Sequence, residues 1–208
     1  VQNGAIFHDK LFIAVYGSKT VEVMDKVDLT SVAQITFPAE VDGPRYLVAD
    51  DNYVYASLYS GEVARINPET NAVDQIIAVG PNPEEMVIVN GFLYVVNSDC
   101  LNYENGYVNG KSVSKIDLAT FTETKKIEMG INPTRIATDG TNVYALSTGD
   151  YGATPAQIYK IDASDNATNL AVGASWFAIH GGVLYAIHSV FNPDWSTTDY
   201  YTAYNLSD

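Results

Sequence analysis

A short pattern recurs five times along the 208 residues, and a chain built from copies of one unit has few folds open to it. Each copy places an aromatic residue in an apolar run: Phe12, Tyr55, Tyr94, Tyr144 and Tyr185. The spacings are 43, 39, 50 and 41 residues. A second anchor follows in step. It reads Lys26-Val27-Asp28, Arg65-Ile66-Asn67, Lys115-Ile116-Asp117, Lys160-Ile161-Asp162 and Ala203-Tyr204-Asn205.

Every unit reads as four short strands. Strand A is an alternating run (Arg45–Asp50, Met86–Asn90 or Arg135–Thr138) closed by Asn90-Gly91, Asp139-Gly140 or Gly181-Gly182, pairs suited to the positive φ of tight hairpins. Strand B carries the aromatic anchor, and strand C ends at the second anchor. An Asp or Asn there accepts backbone N–H groups of the following turn. Strand D stops at Gly80 or Gly130, before a proline loop. No window carries a helical period. Units of this length with four strands predict an all-β propeller of antiparallel blades, because one blade cannot bury both faces but stacked blades can. The expected blades are 1–38, 39–80, 81–130, 131–173 and 174–208, the last without its outer strand.

Composition excludes several functions. With 11 Lys+Arg against 25 Asp+Glu the net charge is −14, opposite to what a phosphate backbone attracts, so no nucleic-acid partner is expected. No apolar run is long enough to span a bilayer as a helix. A single cysteine, Cys100, rules out an internal disulfide and a cysteine-based zinc site, and no metal or cofactor is expected. Asp50-Asp51-Asn52 and Asp162–Asn166 read as turn residues rather than calcium ligands. Val1-Gln2-Asn3-Gly4 carries no leader pattern.

The run Leu93-Tyr94-Val95-Val96-Asn97, Lys111–Thr120 and Ile127–Pro133 resembles the YVTN repeat of surface-layer-type, YncE-like propellers. That resemblance implies a seven-bladed ring, of which five blades are visible here; a true five-bladed ring is the competing expectation. It also implies an exported protein of the Bacteroidetes type, placed in the periplasm or at the cell surface. A lipid anchor outside this sequence fits that expectation. Some relatives hand ligands such as cobalamin to an outer-membrane transporter, which makes a transporter an expected partner.

In such a blade the D–A and B–C loops share one face. The A–B and C–D turns, stereotyped and with His8 and His180 nearby, lie on the other. The B–C loops differ between units: Ser98–Gly110 with Tyr103 and Tyr107, Thr148–Ala156 with Tyr151, and Ser189–Asp199 with Trp195. Long loops on a rigid scaffold commonly carry function. The D–A loops place Arg45-Tyr46, Glu84-Glu85, Thr134-Arg135 and Ser175-Trp176 at the mouth of the central channel. One step lower stand Asn97, Ser147 and His188. The candidate ligand-binding residues are therefore Arg45, Tyr46, Glu85, Tyr103, Tyr107, Arg135, Tyr151, Trp176, His188 and Trp195. Flat apolar rings beside hydrogen-bonding groups suit a sugar, a cofactor-sized molecule or a protein.

No catalytic residue is assigned. The sequence has no Gly-x-Ser-x-Gly elbow, His-Glu-x-x-His pair or phosphate loop. The expectation is a non-enzymatic binding propeller. A lyase or hydrolase using His188 with Glu84 or Glu85 is the alternative, and a protein-interaction scaffold is a third reading.

Overall fold

The computed structural model describes residues 1–207. Nineteen strands form five antiparallel sheets, each in chain order. The first holds β1 (Gly4–Phe7), β2 (Lys10–Val15), β3 (Thr20–Asp25) and β4 (Ser31–Thr36). The second holds β5 (Pro44–Ala49), β6 (Val54–Leu58), β7 (Glu62–Asn67) and β8 (Ala72–Ala78). The third holds β9 (Pro83–Val89), β10 (Phe92–Asn97), β11 (Ser112–Asp117) and β12 (Thr122–Glu128). The fourth holds β13 (Pro133–Thr138), β14 (Val143–Ser147), β15 (Gln157–Ile161) and β16 (Ala167–Asn169). The fifth has three strands, β17 (Trp176–His180), β18 (Val183–Phe191) and β19 (Thr197–Asn205). Asp208 lies outside the described residues. One 3₁₀ turn, Tyr103–Asn105, is the only helix among them.

The first strands of the sheets, β1, β5, β9, β13 and β17, neighbour one another in that order. The sheets thus stack as blades around a central axis. The core is a series of sheet-on-sheet layers with one rule. Side chains alternate across each strand, so the anchor residue and its i+2 neighbour share a face. That face packs on the aliphatic face of the next sheet. Phe12 and Ala14 meet Val54, Ala56 and Leu58. Tyr55 meets Leu93 and Val95. Tyr94 and Val96 meet Val143 and Ala145. Tyr144 and Leu146 meet Phe177, Leu184 and Ala186. Truncating such a buried aromatic to Ala costs about 3–5 kcal/mol. Tyr185 points the same way, but no sheet follows its own among the described residues, so it is only half-buried and rests on Tyr201, ring centroids 6.4 Å apart.

Two blades add a polar lock. Asp50 accepts the N–H groups of Asn52 and Tyr53 and the hydroxyl of Tyr55, at 2.8, 2.7 and 2.9 Å. Asp139 repeats this with Thr141, Asn142 and Tyr144, at 2.8, 2.7 and 2.9 Å. This corrects the reading of Asp139-Gly140 as a two-residue hairpin. Asn90-Gly91 and Gly181-Gly182 have two positive φ values each, whereas at Asp139-Gly140 only Gly140 does. The carboxylate there builds a longer turn. The first blade also differs: β3 ends at Asp25, not at Lys26-Val27-Asp28, and Asp25 caps the turn by accepting from Val27 and Asp28. Asn67 and Asp117 do the same in their blades.

Candidate site at the mouth of the central channel

The site begins with a bulge. In the second, third and fourth blades strand A opens with a proline, Pro44, Pro83 or Pro133. In each, strand A carries one more residue than strand B opposite it. A bulge swings side chains out of the alternating pattern. Here it falls at Arg45-Tyr46, Glu84-Glu85 and Thr134-Arg135 and turns them into the channel mouth. The fifth blade has no such proline and no register shift, so Trp176 pairs regularly with Ile187.

The bulged residues, with Gln2, Asn3, Thr148, Tyr151 and Ser175, line a cavity of about 420 Å³. Gln2 and Asn3 carried no signal in the repeat pattern, because they precede the first strand. Asn3 is held there by a two-way bond: its amide donates to the carbonyl of Leu47 and its Oδ1 accepts from Leu47 N–H, at 3.1 and 2.8 Å.

Charge in the mouth is paired across blades. Arg45 of the second blade grips Glu84 of the third with contacts of 3.1, 3.0 and 2.9 Å. Arg135 of the fourth blade donates to Glu85 of the third at 2.6 Å, and Glu85 also accepts from Ile136 N–H at 3.2 Å. The row therefore runs plus, minus, minus, plus, with zero net charge. Burial pushes both glutamate carboxyls above their ordinary range, and the arginines only partly offset it. The guanidinium groups are held from behind as well. Arg45 lies 4.6 Å over the Tyr59 ring and 5.8 Å from Tyr16, and Arg135 lies 5.4 Å from the Trp176 ring. Beneath the row Ser57 donates to Glu84 O at 2.8 Å and accepts from Tyr46 N–H at 3.1 Å, tying two bulges together. Burial raises the Tyr46 hydroxyl, and the charge of Glu85 adds to that.

Two glycines set how closely the strands approach below the mouth. A Cβ on Gly80 would stand 2.4 Å from Cγ of Asn97, and one on Gly130 2.6 Å from Oγ of Ser147. Asn97 is buried: it accepts from Gly80 N–H and donates to the hydroxyls of Ser112 and Ser114. It is a packing residue rather than a ligand contact.

The variable loops are ordered by their own acids. Asp150 accepts from Gly152 and Thr154 N–H at 2.9 and 2.8 Å, which holds Tyr151 at φ 58° with its side chain 78% exposed beside the cavity. In the third loop Asp99 accepts from the amide of Asn102 and the N–H of Asn109.

Of the ten residues singled out in the sequence, Arg45, Tyr46, Glu85, Arg135 and Tyr151 come together around the cavity, with Glu84 among them. Trp176 touches the site through Arg135. Tyr107, expected on an exposed loop, is buried, because Ser98–Gly110 folds back on itself. Tyr103 is exposed but away from the cavity lining. His188 stacks on Tyr200, centroids 4.6 Å apart, on the side of its sheet facing the fourth blade. The expected loop Ser189–Asp199 is mostly strand. β18 runs to Phe191 and β19 starts at Thr197, leaving Trp195 at the tip of a projecting hairpin. Among the described residues no three His, Cys, Asp or Glu side chains cluster to hold a metal, and no helix is long and apolar enough to cross a membrane.

The fold and this mouth define a β-propeller whose unit-specific residues gather on one face at the head of its channel, a scaffold suited generally to binding. No family model and no curated protein matches the chain. Among solved structures, hydrazine synthase from Kuenenia stuttgartiensis is similar in fold, with a TM-score of 0.80 at 16% sequence identity. The match covers 98% of this chain and 64% of that one, so the chain spans less than two thirds of its neighbour. A likeness at this identity concerns fold alone.

Proposed function

We propose that this propeller is a non-enzymatic binding protein that takes a small, neutral, polyhydroxylated molecule in the channel mouth. The observation that carries the reading is the plus–minus–minus–plus row. All four charges already have partners, and breaking a buried pair leaves an uncompensated charge at a cost of about 3–5 kcal/mol. A charged ligand would have to break them. A neutral polyol would not, because Arg45 Nη1 and Arg135 Nε and Nη2 make no hydrogen bond among the described residues. The hydroxyls of Tyr46, Tyr151 and Thr134 supply both donors and acceptors. A corrinoid fits this lining less well, since the walls are polar rather than broad and apolar.

Absence of catalysis is part of the same proposal. His188, the one histidine on this side, lies against Tyr200 and Thr202 rather than in the cavity lining. Export to the periplasm or cell surface, membership of the YVTN-repeat group and delivery to an outer-membrane transporter rest on the sequence resemblance alone.

Thermal-shift and calorimetric screens with neutral sugars, uronates, amino acids and corrinoids test the reading. Neutral sugars are expected to raise Tm, with the effect lost in Arg135→Ala. No shift with any neutral polyol refutes it.

A further inference from the structure

The two ends of the charged row are not alike. At the second-blade end Arg45 is taken up by the protein. Its Nε and Nη2 both bond Glu84, and the rings of Tyr59 and Tyr16 lie against the guanidinium. At the fourth-blade end Arg135 reaches Glu85 through Nη1 alone, at 2.6 Å. The Trp176 ring lies 5.4 Å from its Cζ. Among the described residues nothing bonds its Nε–Nη2 edge, the same edge with which Arg45 grips a carboxylate. The Arg135 side chain is 37% exposed, against 25% for Arg45. The second, third and fourth blades, which supply the row, each have a sheet on either side.

Two hydroxyls share the cavity with that edge. Thr134 is the bulged residue of its blade, with no partner on β14, and it lines the mouth beside Arg135. Tyr46 comes across from the second blade, and its hydroxyl feels the charges of both Glu85 and Arg135. The Tyr46 N–H goes to Ser57, whereas its hydroxyl makes no hydrogen bond among the described residues.

An arginine edge offers parallel N–H donors in one rigid plane. Two acceptors side by side satisfy it: the oxygens of one carboxylate, or those of two adjacent hydroxyls. A carboxylate would sit on a guanidinium that already carries Glu85, with Glu84 next in the row, in a chain of net charge −14. A pair of hydroxyls brings no charge. Each can accept from arginine and pass its own proton to another oxygen, and Tyr46 and Thr134 supply oxygens in the same cavity.

We infer that Arg135 is the residue that sets ligand specificity, and that it reads a vicinal diol laid along its Nε–Nη2 edge. This rests on the proposed function and specifies the group that is recognised. Arg45 braces the blades instead.

Calorimetry at pH 7 with methyl glucoside, methyl mannoside, methyl galactoside and glucuronate tests this, followed by the 2-, 3- and 4-deoxy forms of the methyl glycoside that binds most tightly. Removing one hydroxyl of the recognised pair leaves a donor without its acceptor and is expected to lower affinity roughly tenfold. Arg135→Lys keeps a cation for Glu85 but has no planar edge. It is expected to bind the parent glycoside and its deoxy forms alike. Tyr46→Phe removes a hydroxyl that bonds nothing in the fold and is expected to weaken the parent severalfold, which keeps a variant in hand if Arg135→Lys does not fold. Equal affinity of the wild type for the parent and every deoxy form overturns the diol and leaves the mouth reading standing. Discrimination that survives Arg135→Lys overturns the role of Arg135. Glucuronate bound more tightly than any methyl glycoside assigns the edge to a carboxylate and overturns the diol. Failure of every methyl glycoside to bind overturns the mouth reading and the diol together.

Discussion

Replacing Glu84 by Gln removes one half of the ion pair that bridges the second and third blades. Three contacts of 2.9–3.1 Å hold the Arg45 guanidinium, and the two side chains are 25% and 15% exposed. A fully buried pair broken on one side costs about 3–5 kcal/mol. The residual exposure lets water take part, which brings the expected loss to about 2–3 kcal/mol. For a chain of this size that lowers Tm by roughly 4–12 °C. Arg45→Met is expected to cost a similar amount, since Glu84 then stays buried beside Glu85. Arg45→Met/Glu84→Gln removes both charges and is expected to cost less than the sum by more than about 1 kcal/mol, because neither buried charge is left alone. Urea denaturation of the four proteins at pH 7 gives the cycle. Singles within 0.5 kcal/mol of wild type, or an additive double variant, would refute the view that the row is an interlocked pair system.

Three further outcomes follow from the same geometry. Gly80→Ala sets a Cβ 2.4 Å from buried Asn97 and is expected to destabilise by about 1–3 kcal/mol, read by thermal melting, with the third-blade loop losing hydrogen-exchange protection first. Burial raises the Asp139 carboxyl, but the N–H and side-chain amide of Asn142, the N–H of Thr141 and the Tyr144 hydroxyl outweigh it and bring it down to about 2. A depressed carboxyl stabilises above its unfolded value of 3.8 and loses that contribution as pH falls towards 2; Asp139→Asn is expected to flatten the acid limb of stability by about 1 kcal/mol after solvent screening, measured against wild type in acid titrations. Glu85 is raised instead, so it takes up its proton above the ordinary 4.5 as pH falls, leaving Arg135 unpaired; glucuronate binding is expected to appear on acidification while glucose binding changes little, and pH-independent glucuronate affinity counts against the paired row.

The blades were legible because packing imposes the same demand four times. An aromatic at strand B must meet the next sheet's aliphatic face, so Tyr55, Tyr94 and Tyr144 recur in frame. Capping acids recur for the same local reason, although the first blade shows that a turn can pass for an anchor, as at Lys26-Val27-Asp28. The mouth was legible only by contrast. Arg45, Glu84-Glu85 and Thr134-Arg135 stood out because they vary where everything else repeats.

The chain alone determined sheets, order and faces, since strand period, turn residues and repeat spacing act over neighbours in sequence. Tertiary structure alone decided which charges meet. Arg45 and Glu84 are 39 residues apart and Arg135 and Glu85 are 50 apart, and only the bulged strand starts of adjacent blades bring them within hydrogen-bond reach. It also decided which aromatics face water. Tyr107 and Trp195 look alike as loop residues, yet one is enclosed by a loop that closes on itself and the other is carried outward by two strands that continue past their sheet.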